Sequence, residues 1–310
     1  MTYDLIVVGA GPAGMTAALY GARASKSVLL LEAEFPGGQI LSSEKIENYP
    51  ALPMTDGYTF AENLKGQILS LGVSVESALA DRIERKANGF CVFAGETQYT
   101  SRAVILATGL RHKRLGVEGE EALIGKGISF CATCDGMFFK NRKVAVIGGG
   151  NTAVQDALFL SDICERVYLI HRRNELRAER ELAQRVFERN NIEFLGKCEV
   201  REFYGESRVE GLLLKQSETK KTVRLDVDGV FEAIGQAPQN EAFREVVLLD
   251  EEGYFITDEH CATSAKGIFA AGDARRKSVR QLTTAVSDGT VAALSAAAYV
   301  DARLREERQI

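Results

Sequence analysis

Three things are missing from this chain: an excess of positive charge, a long apolar run and a regular cysteine framework. With 38 Lys and Arg against 43 Asp and Glu, the formal net charge is -5, which argues against a general nucleic-acid binder. The basic clusters Arg172-Arg173 and Arg275-Arg276-Lys277 are therefore local devices. No stretch approaches the roughly 20 uninterrupted apolar residues of a membrane span. The segment Val291 to Val300 is short, is bracketed by Asp288 and Asp301, and reads as a buried helix. No basic leader precedes the apolar strand that begins at Tyr3, so no secretory signal is expected. Six cysteines without regular spacing in 310 residues do not form a secreted disulfide scaffold, and a cytoplasmic protein is expected. What is present is an ordinary globular composition, 45% hydrophobic and 26% charged, in a chain long enough for about two domains.

Two of the cysteines lie close together, in Cys131-Ala132-Thr133-Cys134-Asp135. Thiols at this spacing form a redox disulfide, supply half of a zinc site, or simply pack in a core. A zinc site needs a second pair, and Cys91, Cys164, Cys198 and Cys261 are scattered singles. No metal is expected, and the four singles read as small buried hydrophobes.

The surroundings of the pair carry more information. Tyr3 to Gly9 is a short buried strand, Gly9-Ala10-Gly11-Pro12-Ala13-Gly14 a glycine-rich turn, and Met15 to Ala24 a helix of small and apolar residues. A second strand, Val28 to Leu31, ends at Glu32. This is the βαβ unit that binds a dinucleotide, with the pyrophosphate on the helix N-terminus and the acid placed for a ribose. The unit recurs 139 residues later: Lys143 to Gly148 repeats Asp4 to Gly9, and Gly148-Gly149-Gly150-Asn151-Thr152-Ala153 fills the loop. Where the first unit has Glu32, the second has His171, followed by Arg172, Arg173 and Arg177. Cations in place of the ribose-binding acid are what a 2′-phosphate demands, because a carboxylate would repel it and guanidinium groups bind it. The first site suits FAD or NAD, the second NADP(H).

Between and beyond these units the pattern predicts a helix over Tyr58 to Leu71. A β-meander is expected over Val73 to Tyr99 with a turn at Asn88-Gly89, and a strand ending at Thr108-Gly109. A second meander is expected over Ile192 to Val227, and Val230 to Gly235 mirrors the strand before Gly109. About 70 residues then remain, too few for an independent doubly wound domain. They hold a strand ending in Gly272-Asp273 and a helix from about Leu282 to Arg305. The economical architecture is α/β, with two Rossmann-like domains, each a parallel sheet with helices plus a β-meander. The second is inserted into the first: 1–112 with 241–310, and 113–240 carrying the cysteine pair.

The order of Gly9 to Gly14, Gly37-Gly38-Gln39, Ala107-Thr108-Gly109, Cys131 to Gly136, Gly148 to Ala153, His171-Arg172-Arg173 with Arg177, and Gly272-Asp273 with Arg280-Gln281 resembles that of bacterial low-molecular-weight thioredoxin reductases. The resemblance spans essentially the whole chain. It implies a homodimer that binds FAD in the discontinuous domain and NADPH in the inserted one, and that reduces the disulfide of thioredoxin or a thioredoxin-like protein. It further implies FAD contacts from Gly9, Gly11, Pro12, Ala13, Glu32, Gly38, Gln39, Asn48, Asp273, Arg280, Gln281 and Leu282. NADPH contacts would come from Gly148, Gly150, Asn151, Thr152, His171, Arg172, Arg173 and Arg177. By the same resemblance Cys134 faces the flavin, Cys131 attacks the partner's disulfide, and Asp135 protonates the departing thiolate. The connectors near 111–116 and 236–241 would let the domains alternate at the flavin.

The chain departs from the family at Gln155 (usually glutamate), Met137 (an aromatic), Lys126 (an arginine) and Phe130 (a smaller residue), changes that bear on partner specificity. A ferredoxin-driven flavin reductase or a dithiol oxidase on the same fold would not need the three arginines. A dinucleotide sensor would not need the thiols.

Overall fold

The computed structural model describes residues 2–307 apart from Glu44, Pro53 and the side chain of Ser42. Strand β1 (Thr2–Val8) is buried from Leu5 onward, the pattern of a strand inside a parallel sheet. Helix α1 (Pro12–Arg23) opens on proline, whose missing N–H is an orphan of the first turn in any case. Strand β2 (Val28–Glu32) pairs with β1 in parallel. Helix α2 (Gly57–Ser70) is capped by Asp56, whose carboxylate accepts from the Thr59 N–H at 2.7 Å. Strand β3 (Ser74–Ser77) then joins β2 in parallel. The expected meander therefore begins only at β4 (Arg82–Lys86) and runs through β5 (Gly89–Ala94) to β6 (Thr97–Leu106). A four-residue strand carries no mark of whether its partner is parallel, and β3 was indistinguishable from meander.

A short strand, β7 (Arg111–His112), leads into the inserted segment. There follow α3 (Glu120–Leu123), β8 (Ile128–Ser129), α4 (Ala132–Asp135), β9 (Lys143–Ile147), α5 (Asn151–Ser161), β10 (Arg166–Ile170), α6 (Arg180–Phe187) and β11 (Ile192–Leu195). Then come β12 (Cys198–Tyr204), β13 (Gly211–Gln216), β14 (Thr222–Asp226) and β15 (Gly229–Glu232). Here too the expected meander shrinks, to the antiparallel sheet β12-β13-β14, because β11 pairs with β10 in parallel. Strand β16 (Gln236–Ala237) returns beside β7, and β17 (Ile268–Ala270) and α7 (Leu282–Glu307) end the chain.

The chain forms two units, 1–111 with 237–310, and 112–236. The sequence reading drew its second boundary four residues later. Residues 237–240 belong to the first unit because Asn240, almost fully buried, is tied into it. Its Oδ1 accepts from Thr108 Oγ1 at 2.7 Å and its Nδ2 donates to the carbonyls of Gly253 and Ala274.

Each unit builds the same sheet. The first has the parallel order β3-β2-β1-β6-β17, with β6 also carrying the meander on its early residues. The second has β11-β10-β9-β15-β8. Strand β8 thus holds in the second unit the place that β17 holds in the first. Helix α7 presents Ala285, Gly289, Ala292, Ala293 and Ala296 to the core it shares with α1. A Cβ on Gly289 would lie 2.2 Å from the Ala13 carbonyl oxygen, so only glycine allows this approach.

Candidate functional site

The carboxyl ends of parallel strands are where α/β sheets bind ligands, and Gly9, Glu32 and Asp273 of the first unit lie at the ends of β1, β2 and β17. Gly9 ends β1 with φ at +99°, and Gly37 donates its N–H to the Ala10 carbonyl at 2.8 Å, closing the loop. Pro12 and Ala13 form the first turn of α1, and Gly38 lies against Gly11. Glu32 closes the loop from below: its carboxylate accepts from the Ala10 N–H at 2.6 Å and the Glu34 N–H at 3.0 Å. Gln39 Nε2 donates to the Leu110 carbonyl. Asn48 donates to Gln281 across 233 residues of sequence, at 3.2 Å.

The end of β17 adds Asp273, beside Lys277 Nζ at 3.2 Å. Arg280 leans over the Tyr254 ring at 4.3 Å and donates to the Asp273 carbonyl, and Leu282 begins α7. Asp288, 9% exposed on α7, fastens this corner by accepting from Arg275 at 2.7 Å, Lys277 at 3.0 Å and the Gly272 N–H. Removing one partner of so buried a network costs about 3–5 kcal/mol.

The second unit repeats the cradle at Gly148, Gly150, Asn151 and Thr152, where β9 meets α5. The loop is braced from outside. Arg177 donates its N–H to the Gly149 carbonyl at 2.6 Å, and Asn151 exchanges hydrogen bonds with Glu179. His171 sits under Gly149, where a Cβ would strike the imidazole at 2.5 Å, and its Nε2 is buried with no hydrogen-bond partner among the described residues. Burial lowers the His171 pKa, and Arg177, Arg173 and Arg172 lower it further. The three guanidinium groups are exposed, and none forms an ion pair with a described residue.

Whether these cradles fit nucleotides is tested by the glycines themselves. Gly11 and Gly150 have extended backbone angles open to any residue, and a Cβ on either would meet no described residue closer than 4.0 Å. Gly14, by contrast, would collide with the Gly9 carbonyl at 1.8 Å. Neither strain nor packing requires glycine at 11 or 150. A phosphate approaching the helix N-terminus does, and the residues fit one in both units.

Cys131 begins two residues past β8, and the pair is disulfide-bonded with Cα atoms 5.3 Å apart. No group of three potential metal ligands occurs among the described residues, and the four single cysteines are all buried. Burial pushes the thiols of Cys164 and Cys261 up to about 11, leaving them protonated and unreactive. Cys131 caps the short helix α4, its sulfur accepting from the Cys134 N–H at 3.3 Å, and Asp135 donates its N–H to the Cys131 carbonyl. Directly after the pair, Met137 and Phe138 are 59% and 75% exposed. Phe130, one of the departures, stacks with His112 at 5.1 Å and has the Arg114 guanidinium 4.3 Å from its ring centre. Burial, with Arg114 adding to it, lowers the His112 pKa.

Sequence reasoning missed Ser129, which bonds both Cys131 and Asp135. It also missed a buried carboxyl pair, Glu120 with Glu232. A hydroxyl two residues before the first cysteine was visible, but its aim is set by the end of β8.

Two dinucleotide cradles and a redox disulfide at strand ends define a flavin- and pyridine-nucleotide-type oxidoreductase. Residues 3–289 match the model of the pyridine nucleotide-disulphide oxidoreductase family, and the chain belongs to it. Within that family it is similar to the thioredoxin reductase of Treponema pallidum, 42% identical over 301 residues that cover 96% of this chain and 97% of the relative. The thioredoxin reductase of Listeria monocytogenes is 41% identical over 96% and 94% of the two chains. Among solved structures, Lactococcus lactis thioredoxin reductase matches with a TM-score of 0.84 at 37% identity, covering 97% of this chain and 99% of that one. The resemblance to bacterial thioredoxin reductases and the α/β fold with two dinucleotide-binding domains are borne out.

Proposed function

We propose that the chain is an NADPH-dependent thioredoxin-disulfide reductase, a cytoplasmic homodimer. The single observation that carries this reading is the Cys131–Cys134 disulfide at the end of β8, in the same unit as a phosphate-type loop flanked by three unpaired arginines. Gly11, Pro12, Ala13, Glu32, Gly38, Gln39, Asn48, Asp273, Arg280, Gln281 and Leu282 would hold FAD. Gly148, Gly150, Asn151 and Thr152 would hold the NADPH pyrophosphate side, and His171, Arg172, Arg173 and Arg177 the 2′-phosphate. FAD, when bound, supplies the conversion of a hydride into a two-electron reduction of a disulfide, which no side chain performs.

The chain's own work is the exchange. Starting from the reduced pair, the Cys131 thiolate attacks one sulfur of the partner's disulfide. A mixed disulfide forms, the partner's S–S bond breaks, and the leaving thiolate takes a proton from the Asp135 carboxyl. Asp135 then takes the Cys134 thiol proton, and the Cys134 thiolate attacks the Cys131 sulfur. The 131–134 disulfide is restored and the second partner sulfur leaves as a thiolate. Two electrons have passed to the partner. Met137 and Phe138, exposed three and four residues after Cys134, would give the partner an apolar landing surface.

The test is NADPH consumption by the purified, FAD-loaded protein with oxidised thioredoxin as substrate. The wild type should consume NADPH only when thioredoxin is added. Cys134→Ser should abolish that turnover while NADPH still bleaches the bound flavin anaerobically. A protein that takes no electrons from NADPH but accepts them from reduced ferredoxin would replace the donor. A Cys134→Ser variant that still turns over would remove the dithiol from the path.

A further inference from the structure

Resting on the reading of Asp135 as the acid, we propose that Ser129 is the positioning residue that decides which Asp135 oxygen carries the exchanged proton. Ser129 ends β8 and is 7% exposed. Its Oγ stands 2.6 Å from Asp135 Oδ2, 3.1 Å from the Cys131 nitrogen and 3.3 Å from the Cys131 carbonyl oxygen. A hydroxyl has one hydrogen to donate and two lone pairs to accept with. The Cys131 N–H can only donate, so it takes one lone pair. The hydrogen has two acceptors, and the shorter distance, in the range of a hydroxyl bound to a carboxylate, assigns it to Asp135.

The consequence follows from what a carboxyl group does on protonation. With Oδ2 engaged by a donor, the site that binds a proton at least cost is Oδ1, and Oδ2 then serves as the carbonyl-type acceptor of the same hydroxyl. Ser129 therefore keeps its bond in both protonation states. The carboxyl does not have to turn between giving a proton to the leaving thiolate and taking one from Cys134. Because the same Oγ also holds the Cys131 N–H, the acid and the attacking cysteine are referred to one point at the strand end. Thr133 does not substitute for it: its hydroxyl lies 3.4 Å from the Cys131 sulfur.

Ser129→Ala removes the donor with little change in volume, and Ser129→Thr keeps it. The measurement is single-turnover oxidation of the reduced holoenzyme by oxidised thioredoxin across pH, with enzyme thiols quenched and counted by alkylation. Ser129→Ala should slow thiol loss roughly tenfold. It should also change the pH dependence of that step, because the exchanged proton is no longer held to one oxygen of the carboxyl group. Ser129→Thr should recover both, and anaerobic bleaching by NADPH should be unchanged in all variants. Asp135→Asn separates the two claims. If it is slow while Ser129→Ala matches the wild type in rate and profile, the assignment to Ser129 is overturned and Asp135 keeps its role. If Asp135→Asn is itself as fast as wild type, the acid reading falls and the Ser129 proposal with it.

Discussion

Arg172, Arg173 and Arg177, which follow His171 in place of Glu32, show how a few residue changes between two copies of a unit alter what its strand end can bind. The first copy ends β2 in Glu32, whose oxygens are already bonded to the Ala10 and Glu34 N–H groups, and a carboxylate there repels a phosphate. The second copy ends in buried His171 and then turns three guanidinium groups to solvent. A charge-assisted hydrogen bond is worth about 1.5–3 kcal/mol, so losing one bound arginine should cost roughly tenfold or more in affinity for the phosphate. Replacing each of the three by alanine should lower kcat/KM for NADPH by about that factor and leave kcat/KM for NADH nearly unchanged. Steady-state kinetics with both nucleotides measures the ratio. An unaltered preference in all three variants would place the 2′-phosphate elsewhere. These arginines were legible because they occupy a position fixed by a repeat. Ser129 was not, because its partners depend on where β8 stops and α4 turns back.

At the level of elements, the ends of α3 and β15 meet in a carboxyl pair. Glu120 accepts from the N–H groups of Leu115, Gly116 and Val117, so its charge is already satisfied. Glu232, 2% exposed, has two buried oxygens with no donor among the described residues. Burial first, and then the nearness of Glu120, pushes its pKa up to about 8, against an opposing pull from Arg114. Glu232 is therefore protonated in the folded chain at neutral pH and supplies a proton that can bond Glu120. Its folded pKa lies above its ordinary value of 4.5, so its contribution to stability is complete below about 4.5 and is lost as pH rises toward about 8. Glu232→Gln, which keeps a donor and cannot ionise, should flatten that part of the profile and raise Tm relative to wild type above pH 8. Thermal melts between pH 5 and pH 9 test it, and parallel profiles for both proteins would show that Glu232 is not the titrating group. Nothing in the sequence marked this pair. The strand ending at Gly235 is legible as the mirror of the strand before Gly109, and a glutamate inside it carries no sign of burial without the sheet. The same limit explains β3 and β11: the apolar pattern located them, but pairing direction is a property of the neighbour.

Over the whole molecule, the chain crosses between its two units twice, at 111/112 and 236/237. The crossings run side by side as β7 and β16, and Lys113 donates its N–H to the Gly235 carbonyl at 2.9 Å. Each is flanked by a glycine held for its backbone angle alone: Gly116 at φ +70° and Gly235 at φ +100°, neither with protein within 4 Å of where a Cβ would stand. Glycines can change these angles without displacing a side chain, which the alternation of nucleotide and dithiol at one flavin, implied by the family resemblance, would require. An L-residue in this region costs about 1–2 kcal/mol, so Gly116→Ala with Gly235→Ala biases both connectors toward other angles while leaving both cradles and the cysteine pair intact. The doubly substituted enzyme should bind NADPH with wild-type affinity and turn over thioredoxin several-fold more slowly, since about 1 kcal/mol added to a limiting rearrangement slows it roughly fivefold. Titration of NADPH binding together with steady-state turnover reads the two quantities separately. Wild-type turnover in a variant with a normal melt would mean that the rearrangement takes its bend elsewhere, and that these glycines serve only the local path of the chain.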